Sequence, residues 1–209
     1  ALLEAMGEQH VTIETETHPL PDPFLVIATQ NPLEMEGVYE LPEAQRDRFQ
    51  FKIRVGYPGT EAEHTILDRF DSDPELGPAT ITQVIDAGDI ASARQAVADT
   101  FVAQPVKDYL LEIITATRDS AQTEIGASPR AALDLLHAAK ARAAVEGRRY
   151  VVPDDVKHLA VDVLAHRLVL STDAELSETT SVDTIEAVLE TIDAQSGDIA
   201  AAVPDERDE

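Results

Sequence analysis

Five consecutive apolar residues, Phe24-Leu25-Val26-Ile27-Ala28, constrain the fold more than any other stretch of the chain. The run is short, rich in β-branched side chains and free of polar interruptions, so it reads as a strand covered on both faces. Such strands belong to parallel α/β sheets. Pro19, Pro21 and Pro23 punctuate its start, and before them Val11 and Ile13 alternate with Thr12 and Glu14, which predicts a short hairpin ending near Leu20. Leu2, Leu3 and Met6 share one helical face. Downstream, past Gly37 and Pro42, residues 43–49 predict one or two helical turns. Phe49, Phe51, Ile53 and Val55 then alternate as a second strand that Gly56-Tyr57-Pro58-Gly59 breaks.

Beyond Pro58 the pattern becomes helical. Thr60 and Glu63 have capping-box spacing and open a helix expected to run through Phe70. Further helices are expected from Ile90 to Asp99, Val106 to Asp119, Arg130 to Glu146 and Pro153 to Ala165. Ser128 before Pro129 is an N-cap followed by proline at the first helical position, and Gly147 is the matching stop. Val182, Ile185, Leu189 and Ile192 mark a last amphipathic helix, followed by an acidic tail expected to be frayed. The expected organisation is an α/β part over residues 1–57, a helical part over 58–170, and an acidic helix and tail over 171–209.

Charge narrows the function classes. Sixteen Lys and Arg face 40 Asp and Glu among 209 residues, a net charge of −24. A field this negative repels phosphate backbones and anionic headgroups, so neither nucleic-acid nor membrane partners are expected. No apolar run approaches the roughly 20 residues of a spanning helix. With no cysteine, disulfides, thiol nucleophiles and thiolate metal sites are excluded. No basic, apolar-cored leader is recognisable, and a cytoplasmic protein is the expectation. The acidity suggests the hypothesis of a surface adapted to high salt, where ions screen self-repulsion. Full structure in dilute buffer with no gain on adding salt would contradict it.

The charge is uneven. Between Gly126 and Leu170 seven basic residues (Arg130, Lys140, Arg142, Arg148, Arg149, Lys157, Arg167) stand against five acids, whereas from Ser171 onward twelve acids face Arg207. The basic island is either an anion site or a set of arginines paired with neighbouring acids.

Several signatures are absent. No Gly-Lys dipeptide occurs, so there is no G-x-x-x-x-G-K-[ST] phosphate loop, and no G-x-G-x-x-G loop is present. Gly126-Ala127-Ser128-Pro129-Arg130 begins like a nucleophile elbow and fails where Arg130 replaces the second glycine, which leaves Ser128 as a helix cap. The six histidines never form His-Glu-x-x-His, and no metal ligands are assigned.

One ordered series of short segments remains. Ala28-Thr29-Gln30-Asn31-Pro32 follows the apolar run, then come Glu36-Gly37-Val38-Tyr39, Leu41-Pro42-Glu43-Ala44-Gln45, Asp47-Arg48-Phe49, Gly56-Tyr57-Pro58 and Gly126-Ala127-Ser128-Pro129-Arg130-Ala131. In this order and spacing the series resembles the MoxR family of AAA+ ATPases, from Leu2 to about Leu170. The resemblance implies an α/β remnant of a AAA+ P-loop core followed by an all-α helical lid, predominantly helical overall. It further implies ATP and Mg2+ as ligands, and assembly into rings, expected to be hexamers, with nucleotide between subunits.

The resemblance also implies roles for single residues. Asn31 matches sensor 1, where an amide orients the attacking water and touches the γ-phosphate; read by itself, it is a turn-forming residue before Pro32. Arg48 matches the arginine finger that reaches the neighbouring subunit's nucleotide; read by itself, it is a surface arginine paired with Asp47. Arg130 matches sensor 2, which reaches from the lid to the phosphates. As a cation in the first turn of a helix it opposes the macrodipole, which a bound anion would relieve. Arg46 departs from the family's usual apolar residue and is the alternative finger. Val152 departs from a capping Thr, at a local cost of about 1 kcal/mol. Residues 11–20 match a hairpin that faces the pore or forms a structural edge.

The family's phosphate loop and its acidic, Mg2+-binding motif lie upstream of Leu2 in the family pattern, and this sequence does not contain them. These 209 residues alone are therefore expected not to hydrolyse ATP. Family activity implies remodelling or maturation of protein clients, among them von Willebrand A domain proteins. The rivals are a magnesium chelatase subunit or replicative helicase, against which the TQNP and LPEAQ segments argue, and a nonenzymatic adaptor derived from an AAA+ fold.

Overall fold

The computed structural model describes residues 2–31 and 41–193. Helix α1 (Leu2–Glu8) runs into an antiparallel hairpin of β1 (His10–Ile13) and β2 (Glu16–Pro19), with His10 opposite Pro19 and Ile13 opposite Glu16. The expected helix and hairpin are both present. Thr12 Oγ1 donates to Glu4 Oε1 at 2.6 Å and ties the hairpin back onto α1. That bond holds the Glu4 carboxyl below its usual range.

Neither expected apolar strand forms. Residues 24–28 lie in an irregular segment with Leu25 and Ile27 each 78% exposed, and the Phe49 to Val55 alternation leaves Ile53 at 70% and Val55 at 93%. A strand covered on both faces exists only between neighbouring strands and under flanking helices, and the described residues provide none of these here. The segments 36–39 and 32 of the motif series lie outside the described residues. The turn at Glu43–Arg46, α2, is as expected.

Helix α3 (Thr60–Ser72) corrects the capping reading. Gly59 is the N-cap, with no side-chain cap bond, and Thr60 already lies in the first turn, where Glu61 and Glu63 favour the positive end of the dipole. Helix α4 (Ala87–Asp99) starts three residues before the expected Ile90. The apolar periodicity begins at Ile90, whereas the backbone starts where Asp86 accepts from Gly88 and Asp89 N–H and Asp89 returns a bond to Asp86 N–H.

The packed part of the molecule is built by α5 (Gln104–Asp119), β3 (Thr123–Ile125), α6 (Pro129–Val145), α7 (Pro153–Leu164), a 3-10 turn over Ala165–Arg167, β4 (Val169–Leu170), α8 (Thr172–Leu176) and α9 (Ser181–Thr191). Strands β3 and β4 pair antiparallel with a bulge between Thr123 and Ile125. On α5 the buried positions Val106, Tyr109, Leu110, Ile113, Ile114 and Thr117 recur at helical spacing and form one inward stripe. On α6 the inward residues are Leu135 and the four alanines Ala131, Ala138, Ala139 and Ala143, whose small side chains suit close packing against α7. Val156, Ala160, Val163 and Leu164 of α7 and Ile185 of α9 complete the core, all fully buried.

The boundaries of α6 follow the sequence closely. Ser128 Oγ accepts from Ala131 N–H at 3.2 Å, and Gly147 ends the helix at φ +72, where a side chain would be strained. At α7 the missing capping hydroxyl of Val152 is partly offset. Asp155 accepts from Val152 N–H at 2.9 Å and holds both Arg148 terminal nitrogens, at 2.8 and 2.6 Å. The final helix α9 is capped by Thr180, with Asp183 completing the box. No described helix is long and apolar enough to cross a membrane. The expected acidic tail, residues 195–209, lies outside the described residues.

Candidate functional site

Arg130 is placed by a chain of local constraints. Gly126 lies against the end of α5 so closely that a Cβ there would sit 2.6 Å from Arg118 Cα, which only glycine allows. Ala127 is then held from both sides: its N–H donates to Thr117 Oγ1 at 3.0 Å and its carbonyl accepts from Arg118 Nε at 2.8 Å. Ser128 caps, Pro129 opens the helix, and Arg130 emerges in the first turn of α6, exposed to solvent. Among the described residues Arg130 makes no ion pair. Three other arginines of the basic island are paired: Arg148 and Arg142 with Asp155, and Arg167 with Asp134 and Asp47. So the pairing reading holds for these three, and Arg130 is left presenting its charge outward.

Arg48 follows α2 in a half-buried turn, and its guanidinium occupies the space that a Cβ on Gly7 of α1 would fill. The expected alternative, pairing with Asp47, meets a competing arrangement. Asp47 Oδ1 instead accepts from Ser128 Oγ at 3.0 Å and faces Arg167 Nη1 at 3.5 Å. Arg46, in the last turn of α2, adds its charge to the surroundings of His166, whereas the Arg48 guanidinium lies over Gly7. Asn31 is exposed, in the irregular stretch that follows Phe24–Ala28.

Two residues join these parts: Arg167, read from sequence only as one of the basic island, and His166, given no role there. Arg167, with its side chain 1% exposed, donates from Nη2 to the Phe49 carbonyl at 2.9 Å and to Asp134 Oδ2 at 2.6 Å. His166 Nε2 lies 2.8 Å from the same Phe49 carbonyl, so the neutral ring carries its proton there and donates. Burial is the main cause that pushes the His166 pKa below its ordinary value, and the Arg167, Lys52 and Arg46 charges add to it. Lys52 N–H donates to the Asp162 carbonyl at 2.9 Å and Gln50 Nε2 to the Asp134 carbonyl at 3.3 Å, so residues 47–52 are stitched to the helical part over their whole length. The one signal of this seam in the sequence was a basic pair, His166-Arg167, set between the apolar ends of α7 and β4. Among the described residues no group of His, Asp or Glu could hold a metal ion.

An exposed arginine in the first turn of α6, on a helical part stitched to residues 47–52, is the arrangement expected of an AAA+ lid joined to the end of its core. Comparison with known proteins agrees: residues 1–51 match the ATPase family associated with various cellular activities (AAA), and residues 115–188 match the AAA lid domain. The chain is 46% identical over 201 residues to Chaperone MoxR1 of Mycobacterium tuberculosis, covering 92% of this chain and 52% of that protein. It is 42% identical to the YeaC protein of Bacillus subtilis (84% of this chain, 54% of that one). A crystal structure from Cytophaga hutchinsonii, of a protein assigned as an ATPase, superposes with a TM-score of 0.84 at 37% identity, over 92% of this chain and 60% of that one. The chain belongs to the MoxR family of AAA+ ATPases and carries its α/β remnant and helical lid. It spans about half the length of the curated relatives it matches.

Proposed function

We propose that these residues are the sensing and trans-acting half of a ring-forming, chaperone-like ATPase that binds and hydrolyses ATP with Mg2+ to remodel partner proteins. The observation that carries this reading is the Ser128–Asp47 hydrogen bond. It joins the residue before Arg48 to the cap of the helix that presents Arg130, so the two arginines are held in one framework although they serve different nucleotides.

The residues present suit a polyphosphate. Arg130 is an exposed cation in the first turn of a 17-residue helix, where a phosphate oxygen would relieve its conflict with the macrodipole. Asn31 orients the attacking water through its amide, and Arg48 stabilises charge on the transferred phosphoryl group from across a subunit boundary. Mg2+, when bound, would neutralise phosphate charge during transfer. Its ligands are assigned to the part of the relatives that this chain does not span, and these 209 residues alone are expected to show no turnover.

Clients are proteins, with von Willebrand A domain proteins as the candidate class, and the net charge of −24 disfavours nucleic acid. The acidic surface is assigned to a high-salt cytoplasm. The test is turnover by the protein that includes the other half. Arg48→Ala should lower kcat by about 10³-fold or more, while Arg46→Ala changes it little. Intact turnover in Arg48→Ala with loss in Arg46→Ala would reverse the finger assignment.

A further inference from the structure

We propose that Arg167 is a positioning residue that couples the Arg130-bearing helix to the arginine finger. The inference rests on the assignment of Arg48 above and concerns what holds that residue in place. Arg48 has Asp47 on one side and Phe49 on the other, and Arg167 engages both: the Asp47 carboxylate at 3.5 Å and the Phe49 carbonyl at 2.9 Å. The same guanidinium is anchored to α6 through Asp134 at 2.6 Å.

Three properties make this a clamp and not an incidental surface pair. The Arg167 side chain is 1% exposed, so its bonds are not traded freely for water. The guanidinium is rigid and planar, so it fixes the angle between the Phe49 carbonyl and the Asp134 carboxylate that Nη2 bonds, while Nη1 faces Asp47 as an ion pair at 3.5 Å without a hydrogen bond. Its three partners also come from two different parts of the chain, the turn after α2 and the body of α6. Asp47 closes the loop by accepting from Ser128, two residues before Arg130. A shift of α6 on engaging phosphate is thereby passed to the backbone on both sides of Arg48. The nucleotide held in one subunit would in this way set the finger that the same subunit offers to its neighbour.

The experiment uses rings of the protein that includes the other half, with Arg48→Ala, Arg130→Ala, Arg167→Gln and Arg167→Lys variants. Arg167→Gln should lower kcat by about 10²-fold, the scale of a misplaced catalytic group, with nucleotide affinity and ring size unchanged. Arg167→Lys should recover only part, since an ammonium lacks the fork.

Subunit mixing then separates the clamp from a merely structural role. A finger acts on the neighbour's nucleotide, whereas Arg130 acts on its own. Mixing Arg167→Gln subunits with Arg130→Ala subunits should restore turnover that neither has alone, because intact fingers then meet intact sites. Mixing Arg167→Gln with Arg48→Ala should restore nothing.

The opposite mixing pattern would overturn the proposal, as would full activity in Arg167→Gln. Retained turnover in Arg48→Ala would instead overturn the finger assignment beneath it. If Arg167→Gln fails to assemble, Asp47→Asn replaces it, since the amide oxygen still accepts from Ser128 while the charge facing Arg167 is gone. The same mixing pattern is expected of that variant, and its reversal is equally fatal.

Discussion

The front of the chain and its helical part obey different rules, although one polypeptide builds both. Residues 100–193 bury a continuous apolar core, although single residues such as Val145 stay exposed: Ile113, Leu135, Val156, Val163, Leu164 and Ile185 have no exposed surface or almost none. In residues 24–85 the same residue types lie outside, with Leu25, Ile27, Ile53, Val55, Tyr57, Ile81 and Val84 between 70% and 97% exposed. Exposed apolar surface on this scale marks a face that another body covers. The helical part is thus a finished core, and the front is one side of a core whose opposite side is not among the described residues. The relatives, about twice as long, provide room for that side.

The largest expected effect sharpens this contrast. Leu135→Ala empties a fully buried site between α5, α6 and α7 and should destabilise the chain by about 2–5 kcal/mol. Leu25→Ala in the same 209 residues should fall within about 0.5 kcal/mol, since little is buried there. In the protein that includes the other half, Leu25→Ala should become costly as well. Chemical denaturation of both lengths reads all three values, and an equal penalty for Leu25→Ala in the two lengths would break the comparison.

How the sequence conveyed the fold follows the same division. The helices of the packed part announced themselves through local signals, such as Ser128-Pro129 at one end of α6 and Gly147 at the other, and these act within one turn of backbone. The two expected strands were read from equally clear patterns, yet a strand is a relation between chains of residues, and its partners must be present for it to form. Thr60 shows a smaller version of this limit: capping-box spacing does not reveal that the helix begins one residue earlier. For the candidate site, motif order picked out Asn31, Arg48 and Arg130. It could not show that Asp47 turns away to Ser128, or that Arg167, 119 residues further on than Arg48, grips the turn between them. Such contacts depend on tertiary packing, which no local spacing records.

A middle-sized effect lies at the seam between the two regions. His166 is held neutral there, with its pKa below the ordinary 6.5 because of burial, and Arg167, Lys52 and Arg46 face it as cations. In the unfolded chain it takes up a proton as pH falls through about 6.5, and in the folded chain only at lower pH. The folded state therefore loses stability as pH falls below 6.5, and the loss levels off once the folded ring also protonates. His166→Gln should remove this dependence while keeping a donor toward the Phe49 carbonyl. Thermal melts of both proteins between about pH 7.5 and 5 measure it, and identical pH profiles would show that the seam does not depend on a neutral ring.

The smallest expected effect tests whether the front of the chain positions Arg48 from its other side. Gly7 is exposed in the last turn of α1, and the space above it is taken by the Arg48 guanidinium. Gly7→Ala improves helix propensity by up to about 1 kcal/mol. The new methyl meets the far end of a flexible side chain, which must then shift. Stability should thus stay within about 1 kcal/mol of the parent, while the guanidinium leaves its seat. In the protein that includes the other half, a drop in kcat with unchanged melting temperature would show that α1 holds the finger ready, opposite the grip of Arg167. Unchanged kcat would mean that the backbone clamp alone sets Arg48, and that its contact with Gly7 is a resting place the side chain abandons when it works.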